Sequence, residues 1–200
     1  DAPDRRTASG IRDRAMLHLA YACGLRVSEL TGLQLDDLDL PAADSIHVMG
    51  KGRRERVLPL WKETQTVLKD WLRIRPESKI RAVFLNGRRE AITRHGFASR
   101  LAVHIDTAKR AVPSLARKRV TPHVLRHTCA IHTLQATGDI RRVALWLGHS
   151  SIVSTEIYLR INPAEKLDIL DAGGPPLIKK GAFTGVSDRL LAMLATARST

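Results

Sequence analysis

Apolar residues recur at helical spacing along most of this chain. Between Ile11 and Cys23, the residues Met16, Leu19, Ala20 and Cys23 share one side of a helix that Gly24 stops. A second short helix is expected to begin near Val27, with Arg26 at its entrance and Glu29 one turn later. The period then changes. Ser45–Met49 and Glu55–Leu60 alternate, holding Ile46, Val48, Val57 and Leu58, and read as a β-hairpin whose turn is Gly50-Lys51-Gly52-Arg53-Arg54. Helical spacing returns at 62–75, where Val67, Leu68, Trp71 and Leu72 form one face ahead of Pro76. Residues 82–85 read as a short third strand. Thr93 is placed to cap a helix to about Val112, with Phe97, Leu101, Ile105 and Ala108 inward and Arg94, His95, Arg100, Lys109 and Arg110 outward.

The stretch TPHVLRHTCAIHTLQATGDIRRVALWLGHSSIVSTEIY, Thr121 to Tyr158, has the clearest punctuation. Thr121 and Pro122 suit an N-cap and a first helical residue. His123 and Arg126 then share a helix face. Gly138 closes this helix, Asp139 caps the next, and Gly148 ends that one. His149 follows at the turn, and Ser150 or Ser151 begins a helix bearing Tyr158. Asn162-Pro163 breaks the tyrosine helix, and Gly173-Gly174-Pro175-Pro176 reads as a linker. Beyond it, Ser187 caps a short helix with Leu190, Leu191, Met193 and Leu194 apolar. The pattern predicts an α+β domain, mainly α-helical, with a small antiparallel β-sheet over 1–172, and a linker and tail helix over 173–200.

Composition narrows the partners. The 200 residues carry 44% hydrophobic side chains, enough for a core, and a net charge of +13. That charge favours a polyanion, nucleic acid before an acidic membrane surface. Aromatics are 4%, too few for base-stacking single-strand platforms. Cys23 and Cys129 have no paired spacing and read as buried thiols in a reducing cytoplasm. No apolar run approaches the roughly 20 residues of a membrane span. The chain starts at Asp1 with no signal peptide and no initiator Met, the pattern of an excised fragment.

The candidate chemistry is attack of a tyrosine on a phosphodiester. A phenol with a pKa of about 10 is a weak nucleophile at neutral pH. It needs charge neutralised on the phosphate and a proton delivered to the leaving oxygen. Arg26 and Arg126 can do the first through bidentate guanidinium contacts. Lys51, at the hairpin tip, can do the second. His123 is a candidate proton acceptor from Tyr158, His149 a further donor to phosphate, and Glu29 an orienting group. Arg53, Arg54 and Arg56 beside the tip, with Arg94, Arg117, Lys118 and Arg119, suit a DNA backbone. This scheme needs neither metal nor cofactor. Plainer readings stand beside it. Arg26 and Glu29 alone would be a surface salt bridge. His127 and His132 read as core or capping histidines. His123 and His127 have the spacing of a helical zinc pair, but Val124 stands where that motif carries Glu.

Taken together, the segments GLRVSEL, VMGKGRRERVLPL, TPHVLRHTCA and LGHSSIVSTEIY resemble the tyrosine recombinases, the phage-integrase family, in order and in spacing. The resemblance runs from about Ile11 to Ile161. It implies the catalytic domain of that family. Arg26 and Arg126 would then be the catalytic arginines, Lys51 the hairpin-tip lysine, and His123 the first member of the His-x-x-Arg pair. His149 would be the later histidine, Tyr158 the nucleophile and Glu29 the acidic support of Arg26. It also implies site-specific recombination through a 3′-phosphotyrosine and a Holliday junction, as in integration, excision or resolution. The implied partners are double-stranded DNA carrying recombination sites and, on that DNA, a homotetramer of chains that are monomeric when free. The setting is cytoplasmic and nucleoid-associated, with no membrane. Members usually carry an N-terminal core-binding clamp domain, which this chain lacks, and commonly pass a C-terminal helix to a neighbour, a role open to the tail. A type IB topoisomerase and a non-cutting DNA-binding regulator are the alternatives.

Overall fold

A computed structural model describes residues 2–50, 55–149 and 155. They build six helices and one hairpin: α1 (Ala8–Ala22), α2 (Val27–Gly32), β1 (Ser45–Met49), β2 (Glu55–Pro59), α3 (Lys62–Ile74), α4 (Arg94–Ala111), α5 (Pro122–Thr137) and α6 (Ile140–Leu147). Short 3₁₀ turns lie at Leu35–Asp37 and Pro113–Leu115. The helix starts follow hydroxyl and carboxylate caps. Thr93 and Thr121 accept from the backbone N–H groups of Gly96 and Val124, and Asp139 from that of Arg141. α1 begins a turn earlier than its apolar pattern suggests. Thr7 Oγ1 accepts from Gly10 N at 3.0 Å, and that polar cap carries no hydrophobic signal.

α1 is the central element, packed on α3 and α5. Met16 and Leu19 meet Ile46 and Leu58 of the hairpin, Val67, Leu68 and Trp71 of α3, and Phe84 and Phe97 in one buried cluster. Cys129 and Ala130 of α5 form a second cluster with Val143 and Leu147 of α6. Both cysteines are buried free thiols. Burial pushes their pKa values up, that of Cys129 to about 11, so neither is a ready nucleophile.

The sheet has two strands, antiparallel, with Ile46 opposite Leu58 and Val48 opposite Arg56. The expected strand at 82–85 makes only isolated bridges, Gln34 with Ala82 and Leu85 with Ala91. Side chains take two of its carbonyls, with Trp71 Nε1 donating to Val83 O at 2.9 Å and Arg75 Nη2 to Ala82 O at 2.7 Å, while Phe84 O accepts from the backbone N–H of Ile92 at 3.0 Å.

α4 also differs from expectation. Its buried positions are Phe97, Leu101 and His104, while Ile105 and Ala108 are half-buried. The rotation follows from a carboxylate inside the fold. Asp13 of α1 is 1% exposed and accepts from four nitrogens. Arg12 Nε and Nη2 lie at 2.9 and 2.6 Å from Oδ1, and Arg100 Nε and His104 Nε2 at 2.6 and 2.8 Å from Oδ2. Arg100, expected outward, is thus drawn to the α1–α4 contact. Burial raises the Asp13 pKa, but the bonds from His104, Arg100 and Arg12 outweigh that and hold it below the usual range.

Candidate functional site

The site begins with a local geometry. Arg26 is the N-cap of α2, and Glu29 is the third residue of that helix. The carboxylate therefore turns back onto the cap, accepting from Arg26 N at 2.9 Å and Arg26 Nη1 at 2.8 Å. This is no surface pair: the Glu29 side chain is 4% exposed. Two more guanidinium groups reach it from distant elements. Arg56 of β2 places Nη1 3.2 Å from Oε1 and Nη2 2.9 Å from Oε2. Arg126 of α5 places Nη1 3.9 Å from Oε2.

Arg126 also joins three elements. Its Nη1 donates to Gly24 O, in the turn between α1 and α2, and its Nη2 donates to Leu147 O at 2.8 Å, at the end of α6. The turn approaches closely because residue 24 is glycine with φ +56°. A Cβ there would lie 2.5 Å from Leu147 Cδ2 and 3.0 Å from Cys129 Sγ. Gly148 plays a matching part. At φ +64° it ends α6, and a Cβ on it would lie 2.8 Å from Arg56 Nη1.

His149 follows that glycine. Its backbone N–H donates to Ala144 O at 3.0 Å, and its Nδ1 lies 2.8 Å from Thr155 Oγ1. Burial, then the positive charges of Arg126, Arg26 and Arg56, push its pKa down to about 4, against a smaller opposing pull from Glu29. At neutral pH the imidazole is uncharged. Burial raises the Glu29 pKa, but bonds from Arg56 and Arg26 reverse this and keep it ionised. Three guanidinium groups thus surround one carboxylate and one neutral imidazole. The surplus positive charge favours an anion, and a phosphate oxygen matches the guanidinium fork.

The structure therefore brings Arg26, Glu29, Arg126 and His149 together. His123 is exposed on the first turn of α5, one turn before buried Arg126. Arg56, read as part of a DNA-facing tip, is turned inward, because its side shares a strand face with buried Leu58. Its charge serves Glu29, and its side chain is 9% exposed. Arg94, Arg117 and Arg119 are exposed and Lys118 is half-buried. Lys51, Arg53, Arg54 and Tyr158 lie outside the described residues, as does the tail from 173 onward. Of the histidines read as structural, His132 Nδ1 lies 2.6 Å from Tyr21 Oη. Among the described residues, no group of three or more His, Cys, Asp or Glu side chains is arranged to hold a metal ion. Nor, among them, is any helix long and apolar enough to cross a membrane.

Sequence reasoning missed Arg56 as a member of the cluster, although its two-residue offset from Leu58 signals an inward face. It missed Thr155 altogether, since a lone threonine in a helical pattern carries no signal.

Comparison with known proteins gives a consistent result. The pattern of the phage integrase family matches residues 1–165. An integrase/recombinase of Sinorhizobium fredii is 44% identical over 193 residues, covering 96% of this chain and 58% of the relative. The tyrosine recombinase XerC of Actinobacillus pleuropneumoniae is 37% identical over 179 residues, covering 88% of this chain and 56% of the relative. A crystal structure of the XerH site-specific recombinase, in a post-cleavage complex with a palindromic difH substrate, superposes with a TM-score of 0.67 at 25% identity, covering 84% of this chain and 47% of that one. The chain spans little more than half the length of the two relatives.

Proposed function

This chain belongs to the phage integrase family, and on that premise we propose that it carries the DNA-breaking and rejoining site of a tyrosine recombinase. The observation that carries the reading is the cluster on Glu29. Three guanidinium groups and a neutral imidazole converge there from α2, β2, α5 and the end of α6. Such a surplus of fixed positive charge stabilises a phosphodiester as negative charge builds on its non-bridging oxygens during attack.

In this reading Tyr158 Oη attacks the scissile phosphorus, and the bond from phosphorus to the 5′ oxygen breaks. The phenolic proton passes to His123, and Lys51 protonates the departing 5′ oxygen. Arg26 and Arg126 clamp the phosphate, and His149 donates a further hydrogen bond. The product is a 3′-phosphotyrosine and a free 5′-hydroxyl. A 5′-hydroxyl from a partner strand reverses the step, so the phosphoester bond energy is retained throughout. Glu29 acts behind the clamp by fixing Arg26, and Arg56 by holding Glu29. The chain's other tyrosine, Tyr21, is a poorer nucleophile: burial, aided by nearby Cys129, pushes its phenol up to about 12.

Double-stranded DNA with recombination sites is the proposed substrate, and a homotetramer bridging two duplexes the acting assembly. Exposed Arg94, Arg117 and Arg119, with Lys118, Arg53 and Arg54, are proposed to contact the DNA backbone, and the segment from 173 to pass to a neighbouring protomer. The proposed location is the nucleoid in the cytoplasm. A nicked suicide duplex tests the reading. The wild-type chain should trap a covalent adduct and Tyr158→Phe should bind the same duplex without trapping it. A phenylalanine variant that still traps DNA would refute the assignment, and an adduct without joining of two sites would favour a topoisomerase.

A further inference from the structure

The hydrogen bond between His149 and Thr155 decides which face of the imidazole can meet an anion. Thr155 is fully buried, 0% exposed, and its hydroxyl lies 2.8 Å from His149 Nδ1. The other end of the histidine is equally fixed. Its backbone N–H is bonded to Ala144 O at 3.0 Å, and Gly148 before it ends α6 at φ +64°. Backbone and ring are therefore held separately, and the ring's remaining nitrogen is Nε2.

A neutral imidazole carries one N–H, and the partner of one nitrogen sets the role of the other. The ring is neutral here because burial and the guanidinium groups of Arg126, Arg26 and Arg56 oppose a further positive charge, despite Glu29. Two arrangements satisfy the 2.8 Å contact. If Nδ1 carries the proton, Thr155 Oγ1 accepts it and Nε2 presents a lone pair. If Thr155 donates, Nδ1 accepts and Nε2 carries the N–H. A lone pair aimed at an anion is repulsive, so only the second arrangement makes His149 useful in a pocket built around an anion.

We propose that Thr155 is a positioning residue that holds His149 as the Nε2–H tautomer, and so makes it a hydrogen-bond donor to the scissile phosphate. The phosphate role rests on the recombinase reading above, whereas the tautomer rests only on the surplus positive charge that makes the pocket an anion site. Thr155 also stands three residues before Tyr158 in the sequence. Three residues of chain span at most about 11 Å. Thr155 touches no reacting atom in this account and acts through His149.

The test uses the full chain and two substitutions. Thr155→Val removes the hydroxyl and keeps the shape, while Thr155→Ser keeps the hydroxyl. Long-range ¹H–¹⁵N correlation spectra, with His149 assigned from its loss in His149→Gln, report the tautomer directly. The wild-type and Ser chains should show Nε2–H, and the Val chain a mixture or the Nδ1–H form. Single-turnover cleavage of the nicked duplex should fall about 10–100-fold in the Val variant, the cost seen when a metal-bound imidazole loses the group that orients it, taken here as the analogue. The Ser variant should stay within about threefold of wild type, and duplex affinity should change in neither. Adding Thr155→Val to His149→Gln should cost nothing further, because residues acting through one another are not additive. An Nδ1–H wild-type ring overturns the proposal. So does a Ser variant as slow as Val, or an additive double variant. If the wild-type chain traps no DNA at all, the recombinase reading fails, and the spectra alone decide the tautomer.

Discussion

Replacing Glu29 with glutamine is the sharpest probe of the cluster. The carboxylate accepts from Arg26 N and Nη1 and from Arg56 Nη1 and Nη2, at 2.8–3.2 Å. Glutamine has the same size but offers one acceptor oxygen. Whichever way its amide turns, two of those four donors meet an NH₂ group instead. Bonds to charged partners are worth about 1.5–3 kcal/mol each, so losing two costs about 3–6 kcal/mol. Breaking a buried ion pair by removing one partner costs a similar 3–5 kcal/mol. Arg26 is 35% exposed and can turn its charge to water. Arg56 and Arg126, each 9% exposed, cannot do so without opening the fold. The expected loss is therefore near the lower bound, about 3 kcal/mol. For a chain of this size that lowers Tm by about 6–12 °C. Urea and thermal melts of Glu29→Gln against wild type measure it. The pH dependence supplies a second check. The folded-state pKa of Glu29 is depressed, so its contribution is complete above the unfolded value of about 4.3. It fades as pH falls through the folded value, and the gap between the two proteins should close in acid. A gap under about 1 kcal/mol at pH 7, or one that persists unchanged in acid, would refute the argument that this carboxylate holds the guanidinium groups in place.

Two further outcomes follow from the same region. Gly138 and Gly148 share φ +64°, but a Cβ at Gly138 meets nothing within 4 Å, whereas one at Gly148 reaches Arg56 Nη1 at 2.8 Å. Gly138→Ala should cost only the left-handed backbone penalty of about 1–2 kcal/mol, and Gly148→Ala measurably more in urea melts; equal losses would mean that Arg56 moves aside freely. The His149 pKa is depressed to about 4, so between about pH 6.5 and that value the unfolded chain binds more protons and His149 destabilises the fold as pH falls. The stability of wild type relative to His149→Gln should therefore decline across that window, and a flat difference would show that the ring is not shielded from protonation.

Much of the fold was legible because its signals are local. Thr93, Thr121 and Asp139 cap helices, and Gly138 and Gly148 end them, at positions where a hydroxyl, a carboxylate or a left-handed backbone is needed within a few residues. The hairpin was readable from its alternation. What failed depended on partners far away in the chain. The segment at 82–85 is buried, as a strand would be, but it bends at Val83 and Phe84, and Trp71 and Arg75 take two of its carbonyls. His104 replaces Ile105 on the buried face of α4 because Asp13, 91 residues earlier, provides a partner inside the core. A hydrophobic pattern scores a histidine as outward and has no means of seeing the carboxylate that draws it in.

The site shows the same division, and Arg56 shows why it matters. Arg26 and Glu29 are three residues apart on a helix start, so their pairing is visible in the sequence. Arg56 stands 27 residues from Glu29, among other basic residues, and composition assigns the whole group to a DNA-facing tip. Strand alternation separates them. Arg56 shares its face with Leu58, and inward on β2 means toward Glu29 and Gly148. The hairpin is thereby rooted in the Glu29 cluster through a bidentate ion pair. If Lys51 delivers the proton to the leaving oxygen, the strand that follows its turn is fixed to the same carboxylate that fixes Arg26. The acid and the clamp then share one anchor. Arg56→Ala should loosen both, lowering cleavage more than Arg56→Lys. A lysine keeps the charge near Glu29 but not the two-point contact. Single-turnover rates on the nicked duplex, set beside duplex affinity, test this: a loss confined to affinity would return Arg56 to the DNA-facing group and remove the link between hairpin and clamp.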